Sequence, residues 1–199
     1  MNTNWFCGNL YLGRGYNNKF TYENKFMEEW SWSVKDNDTV WILGNVSNNK
    51  YTNHDIFWNE WLSLLPGKKK LLLGCNDAYP LEFYSEFYDS VCAMNRFVPL
   101  AYQTGKHGDP PRSVNKQVMV TYLPADGSLY RRDKKKYTPI HLKFKHIFKN
   151  KKLNFILNIH SHTQGNYNHQ YTNKTYDIWD NKSNLVSLSQ IFQQKFLEA

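Results

Sequence analysis

Five short apolar runs in this chain end in the same way, and that repetition limits its fold more than any other feature. Trp5-Phe6-Cys7 runs into Gly8-Asn9, and Val40-Trp41-Ile42-Leu43 runs into Gly44-Asn45. Leu71-Leu72-Leu73 runs into Gly74-Cys75-Asn76-Asp77, and Val118-Met119-Val120-Thr121 into Tyr122-Leu123-Pro124. The fifth run, over 153–159, reaches His160-Ser161-His162. Short continuous apolar runs closed by Gly or Pro read as strands buried on both faces. Each releases a polar cluster at its carboxyl end, which is where open α/β sheets hold their ligands.

Helical spacing fills the gaps. Over 22–35, Phe26, Trp30 and Val34 recur at i, i+4 and i+8. Over 55–65, Phe57, Trp61 and Leu64 or Leu65 share one side, which the pattern predicts to face the core. Residues 80–88 read as a further helix, with Pro80 near its first turn. Thr138-Pro139 has the form of a helix start, followed by Ile140, Phe144, Ile147 and Phe148 on one face and lysines on the other. Strands alternating with helices argue an α/β protein. The stretch 103–115, with Gly105, Gly108, Pro110 and Pro111, reads as a long loop of the kind that often carries function.

A chain of 199 residues fits one domain, 1–199, and can bury a core without metal or disulfide staples. Its aromatic share of 17% leaves several rings for either a core or a pocket. The formal charge of +8 is concentrated: ten Lys or Arg and one acid, Asp133, fall within 131–152. Such a basic segment suggests an anionic partner, while the ordinary reading is a solvated helix face. The odd set Cys7, Cys75 and Cys92 has no zinc-type spacing and suggests a reducing compartment. Signal-peptide features and membrane-length apolar runs are lacking, so the expectation is a cytoplasmic protein, in the host cytoplasm if the source is viral, with no membrane partner.

Taken together, the clusters resemble the ladder of the calcineurin-like metallophosphoesterases, especially their small bacterial and phage forms, over nearly the whole chain. That family reads Asp-x-His, Gly-Asp, Gly-Asn-His-Asp, a lone His and Gly-His-x-His, each element just after a strand. Here Asn9 and Tyr11 stand at the first element, Asn45 at the second, and Cys75, Asn76 and Asp77 at the third. Tyr122 stands at the lone His, and His162 and Gln164 at the last element. The segments Tyr176-Asp177-Ile178-Trp179 and Val186-Ser187-Leu188 resemble the family's closing stretch. The resemblance implies a four-layer α/β/β/α sandwich.

The departures are consistent in direction. Asn9, Tyr11, Asn45, Cys75, Tyr122 and Gln164 replace metal ligands, and Asn76 replaces the His that acts on the phosphate. Only His162 keeps a ligand's identity; Asp77 survives, but the family does not use it as one. A two-metal site needs carboxylates and imidazoles, and amide and phenol groups are poor substitutes. The resemblance therefore implies no catalytic residues, no metal and no cofactor. Amides at 9 and 45 remove charges that would repel phosphate and add N–H donors. Arg14, just beyond the first element, adds a charge suited to bidentate phosphate binding. Tyr11, Tyr122 and nearby Trp side chains are candidates to stack on a base or sugar.

The expected ligand set is thus Asn9, Tyr11, Arg14, Asn45, Cys75, Asn76, Tyr122, His162 and Gln164. The expected partner is a small phosphate-bearing nucleotide signal, sequestered rather than hydrolysed. In a phage protein that would blunt nucleotide-triggered immunity. Taken singly, each residue has a plainer reading. Asn after Gly is common turn chemistry, Cys75 is a small buried residue, His160 is structural, and Arg14 is a surface charge. Two alternatives stay open: a protein-interaction module in which 131–152 meets an acidic protein, and a residual phosphodiesterase with atypical metal use. In the latter, Asp77 serves as a base only if it faces the pocket. Nucleic-acid binding is the weakest expectation, since no recognised module accompanies the basic segment.

Overall fold

The computed structural model describes residues 2–8, 10, 19–47, 53–74, 76–92, 95–100, 103–104, 112–113, 116–122, 155–161, 175–177 and 185–196. In chain order the first half forms β1 (Asn4–Gly8), α1 (Lys19–Ser33), β2 (Thr39–Leu43), α2 (Asn53–Leu64), β3 (Lys68–Leu72), α3 (Leu81–Ser85) and β4 (Ser90–Cys92). There follow β5 (Asn95–Leu100), β6 (Gln103–Thr104), β7 (Arg112–Ser113) and β8 (Lys116–Thr121). The last are β9 (Phe155–His160), β10 (Thr175–Asp177), β11 (Val186–Ser187) and α4 (Leu188–Phe196).

The strands form a mixed α/β architecture. A five-stranded sheet has the order β11-β1-β2-β3-β4, and a four-stranded sheet the order β10-β9-β8-β5. β1 to β4 are parallel, joined through α1, α2 and α3, and β11 closes the edge of β1 antiparallel. β9 is parallel to β8 and β10, while β5 runs antiparallel to β8. β6 and β7 pair as a short antiparallel ribbon inside the stretch expected to be a loop. The rest of that loop, the helix expected from Thr138-Pro139 and the basic segment 131–152 lie outside the described residues.

Both faces of the first sheet are buried, as continuous apolar strands require. Cys7, Val40, Ile42 and Leu71 point into a core with Phe26, Trp30, Trp58, Leu62 and Tyr84 from the helices. Phe6, Leu43 and Leu72, on the alternate positions, are also fully buried. In the second sheet Val118, Met119 and Val120 are consecutive and each 0% exposed, so β8 too is covered on both sides.

The spacing in α1 holds: Phe26, Trp30 and the following Val34 are buried, with the Phe26 and Trp30 rings edge to face at 5.6 Å. In α2 the expectation holds at Leu65 and is corrected at Phe57, Trp61 and Leu64. Trp58, Leu62 and Leu65 face the core, while Phe57 is 54% exposed, Trp61 37% and Leu64 82%. The helix carries two apolar stripes of equal spacing, one residue out of phase. Polar contacts favour the inner one. Buried Asn59 donates to the Asp55 carbonyl at 2.7 Å and accepts from the Tyr88 hydroxyl at 2.5 Å, and the Tyr79 hydroxyl donates to the Asp55 carboxylate at 3.3 Å. Turning Phe57 and Trp61 inward would strand those groups.

At the amino ends of the strands, Asp38 holds the chain start in place. Its carboxylate accepts the Thr3 amide at 2.7 Å, the Trp5 indole at 3.0 Å and the Lys35 amide at 3.1 Å. Burial pushes its pKa up, but these donors and the Lys35 charge outweigh it and leave it below the usual aspartate value.

Candidate functional site

The sheets meet at the carboxyl ends of their strands. β2 and β3 end in Gly44 and Gly74, and the two backbones approach so closely that a side chain on Gly44 would strike the Gly74 main chain. Gly44 also has φ +40°, in the region that favours glycine, and the Gly44–Asn45 peptide is cis. A side chain on Gly74 would strike the Asn45 amide and the Tyr122 ring. The run-then-glycine pattern is therefore the sequence trace of loops that must pack against one another. From the second sheet, the Ser161 hydroxyl donates to the Leu43 carbonyl, and the Ser161 amide donates to the Tyr122 carbonyl at 3.3 Å.

Asn45 is the centre of this junction. It is 2% exposed, and both ends of its amide are engaged. Nδ2 donates to the Tyr122 hydroxyl at 3.1 Å, and Oδ1 accepts the Asn76 backbone N–H at 3.0 Å. One neutral side chain thus links the ends of β2, β3 and β8. Tyr122 is 6% exposed, with its ring over Gly74, so the described geometry places it as a packed wall of the junction. Asn76 is half-buried.

Asp77 sits directly behind. Oδ1 accepts the Val46 amide at 2.8 Å, the Ser47 amide at 3.0 Å and the Ser47 hydroxyl at 3.1 Å, while Oδ2 accepts the Gly74 amide at 2.7 Å. With the Ser47 proton committed to Asp77, the Tyr84 hydroxyl donates to Ser47 Oγ at 2.6 Å. Burial raises the Asp77 pKa despite these donors, and burial and the nearby Asp77 charge raise that of Tyr84. The carboxylate therefore faces main-chain amides, a placement suited to anchoring loops.

Of the expected ligand residues, the described structure brings together Asn45, Asn76 and Tyr122. Asn9, Tyr11, Arg14, Cys75, His162 and Gln164 lie outside the described residues. Asn9, Cys75 and His162 adjoin Gly8, Gly74, Asn76 and Ser161, which belong to the junction or its immediate flanks. Among the described residues, no group of three or more His, Cys, Asp or Glu is placed to hold a metal ion. His160 is 1% exposed, as its plainer reading expects. Cys7 and Cys92 are buried and not disulfide-bonded. No described helix is long and apolar enough to cross a membrane. Sequence reasoning missed Ser47 and Tyr84. Only the proximity of Ser47 to Asn45, two residues on in the same turn, hints at its role.

No family model and no curated protein matches the chain. Among solved structures, a protein of unknown function from Aquifex aeolicus is similar, with a TM-score of 0.69 and 16% sequence identity. The match covers 98% of this chain and 100% of that one. At that identity the likeness speaks to the fold alone.

Proposed function

We propose that this protein is a catalytically inactive, metallophosphoesterase-like binder of a small phosphate-bearing nucleotide, which it sequesters without metal. On this reading the two sheets are the inner layers of an α/β/β/α sandwich, and the ligand lies over the carboxyl ends of β1, β2, β3, β8 and β9. The observation that carries it is the setting of Asn45. Where the resembling family places a bridging carboxylate, this chain buries an amide whose two ends are engaged with Tyr122 and Asn76. An amide there imposes no repulsion on an anion, and neutral donors and acceptors replace ionic ligands. Arg14 and the basic segment 131–152 supply positive charge to draw an anion in. In a phage setting, the consequence is suppression of bacterial immune signalling that depends on a nucleotide messenger.

The test is release and mass-spectrometric identification of whatever small molecule co-purifies from cells making candidate nucleotide signals, with metal analysis of the same sample. A stoichiometric, intact phosphate compound without bound metal is expected. Chelator-sensitive turnover of a phosphodiester, or a protein that neither retains nor is thermally stabilised by any nucleotide, would overturn the reading.

A further inference from the structure

We infer that Asp77 is the positioning residue of this site: by gripping two loops at once it fixes Asn45 relative to Asn76. The inference rests on the nucleotide-binding reading only for what the site holds. Two links join the loops, and they run in opposite directions. The Asp77 carboxylate, on the loop after β3, takes the Val46 and Ser47 amides of the loop after β2. The Asn45 side chain, on the loop after β2, takes the Asn76 amide of the loop after β3. Asn45 adjoins Val46 and Asn76 adjoins Asp77, so neither link can lengthen without straining the other. The Gly74 amide ties Asp77 to the end of its own strand, and Tyr84, through Ser47 Oγ, braces the far side. No Asp77 hydrogen bond goes to the Asn45 or Asn76 side chain, so its effect on a ligand passes through loop placement. A neutral amide at 77 would turn an N–H group toward one of these donors, and the grip would fail on that side. Binding groups must be held within about half an ångström of their working geometry, so a looser grip on either loop is expected to weaken binding.

The experiment compares the full-length protein with its Asp77→Asn variant by amide hydrogen exchange and by titration with ADP. Asp38→Asn, which loosens the opposite ends of the strands, is the control for lost global stability. The Asn76 amide is the diagnostic reporter, because it bonds to Asn45 and not to Asp77. In Asp77→Asn, exchange at Val46, Ser47, Gly74 and Asn76 is expected to rise beyond that in Asp38→Asn at equal melting loss. ADP binding is expected to weaken by about tenfold, the loss typical of one charge-assisted hydrogen bond. Asn76 exchange no faster than in the control overturns the inference. Absence of ADP binding in the unaltered protein counts against the nucleotide reading instead, and the exchange comparison then decides the role of Asp77 by itself. If Asp77→Asn does not fold, Ser47→Ala takes its place. A smaller rise at Asn76 is then expected, and no rise overturns the inference.

Discussion

Buried Asp38 and half-buried Asp77 each accept several N–H groups, yet their ionisation shifts in opposite directions. At Asp38 the donors and the Lys35 charge win, so the folded chain holds the carboxyl below its ordinary value. Its contribution to stability is complete above the unfolded-state pKa and is lost as pH falls through the folded-state value. At Asp77 burial wins and the folded value is raised. Its linkage is reversed: stability is greater below the unfolded-state pKa and declines as pH rises through the folded-state value. Urea denaturation across acidic pH should separate them. Asp38→Asn should lose part of the acid-side fall in stability, and Asp77→Asn should steepen it. A second residue-scale prediction concerns Gly74. Its replacement by Ala sets a methyl against the Asn45 amide and the Tyr122 ring, and should cost about 1–3 kcal/mol, as overpacking does. Chemical denaturation would measure it, and an unchanged midpoint would contradict the close approach.

Among the elements, α2 gives the sharpest contrast. Leu62 is fully buried and Leu64, two positions on, is 82% exposed. Leu62→Ala should cost about 2–5 kcal/mol and Leu64→Ala no more than about 0.5 kcal/mol, by thermal or chemical melting. Equal losses would mean that the outer stripe is covered. The same helix marks the boundary of what its sequence discloses. Phe57, Trp61 and Leu64 repeat at the same interval as Trp58, Leu62 and Leu65, so periodicity cannot rank them. Partners distant in sequence decide, since Tyr88 reaches Asn59 and Tyr79 reaches Asp55. The parallel strands were legible because burial on both faces demands unbroken apolar runs, and close loop packing demands the glycines that end them. β3 starts earlier than its leucines suggest, at Lys68, where the Lys69 amide is drawn to Asp89 at 2.7 Å. β5 contains Pro99, which sits in a strand because β5 is at a sheet edge. Within the site, Asn45, Asn76 and Tyr122 could be read from their places after strands. Ser47 and Tyr84 could not, because 37 residues separate this hydroxyl pair and no local pattern joins them.

For the whole molecule, the order in which the sheet closes follows from its pairings. β1 gains β2 as a neighbour within the first quarter of the chain, but its other edge waits for Trp5 to pair with Ser187 and Phe6 with Val186. The Leu43 carbonyl waits likewise for Ser161, 118 residues away. Contacts of such long sequence separation slow folding, and until they form an apolar strand presents an open edge to other chains. Removing residues 185–199 should therefore reduce soluble yield far more than a surface substitution does. A truncated chain that stayed soluble at the same yield and melted at the same temperature would contradict this. During synthesis β1 stays half-zipped until Val186 and Ser187 have left the ribosome, so one edge of that strand lies open to other chains while all the residues between the two partners are made.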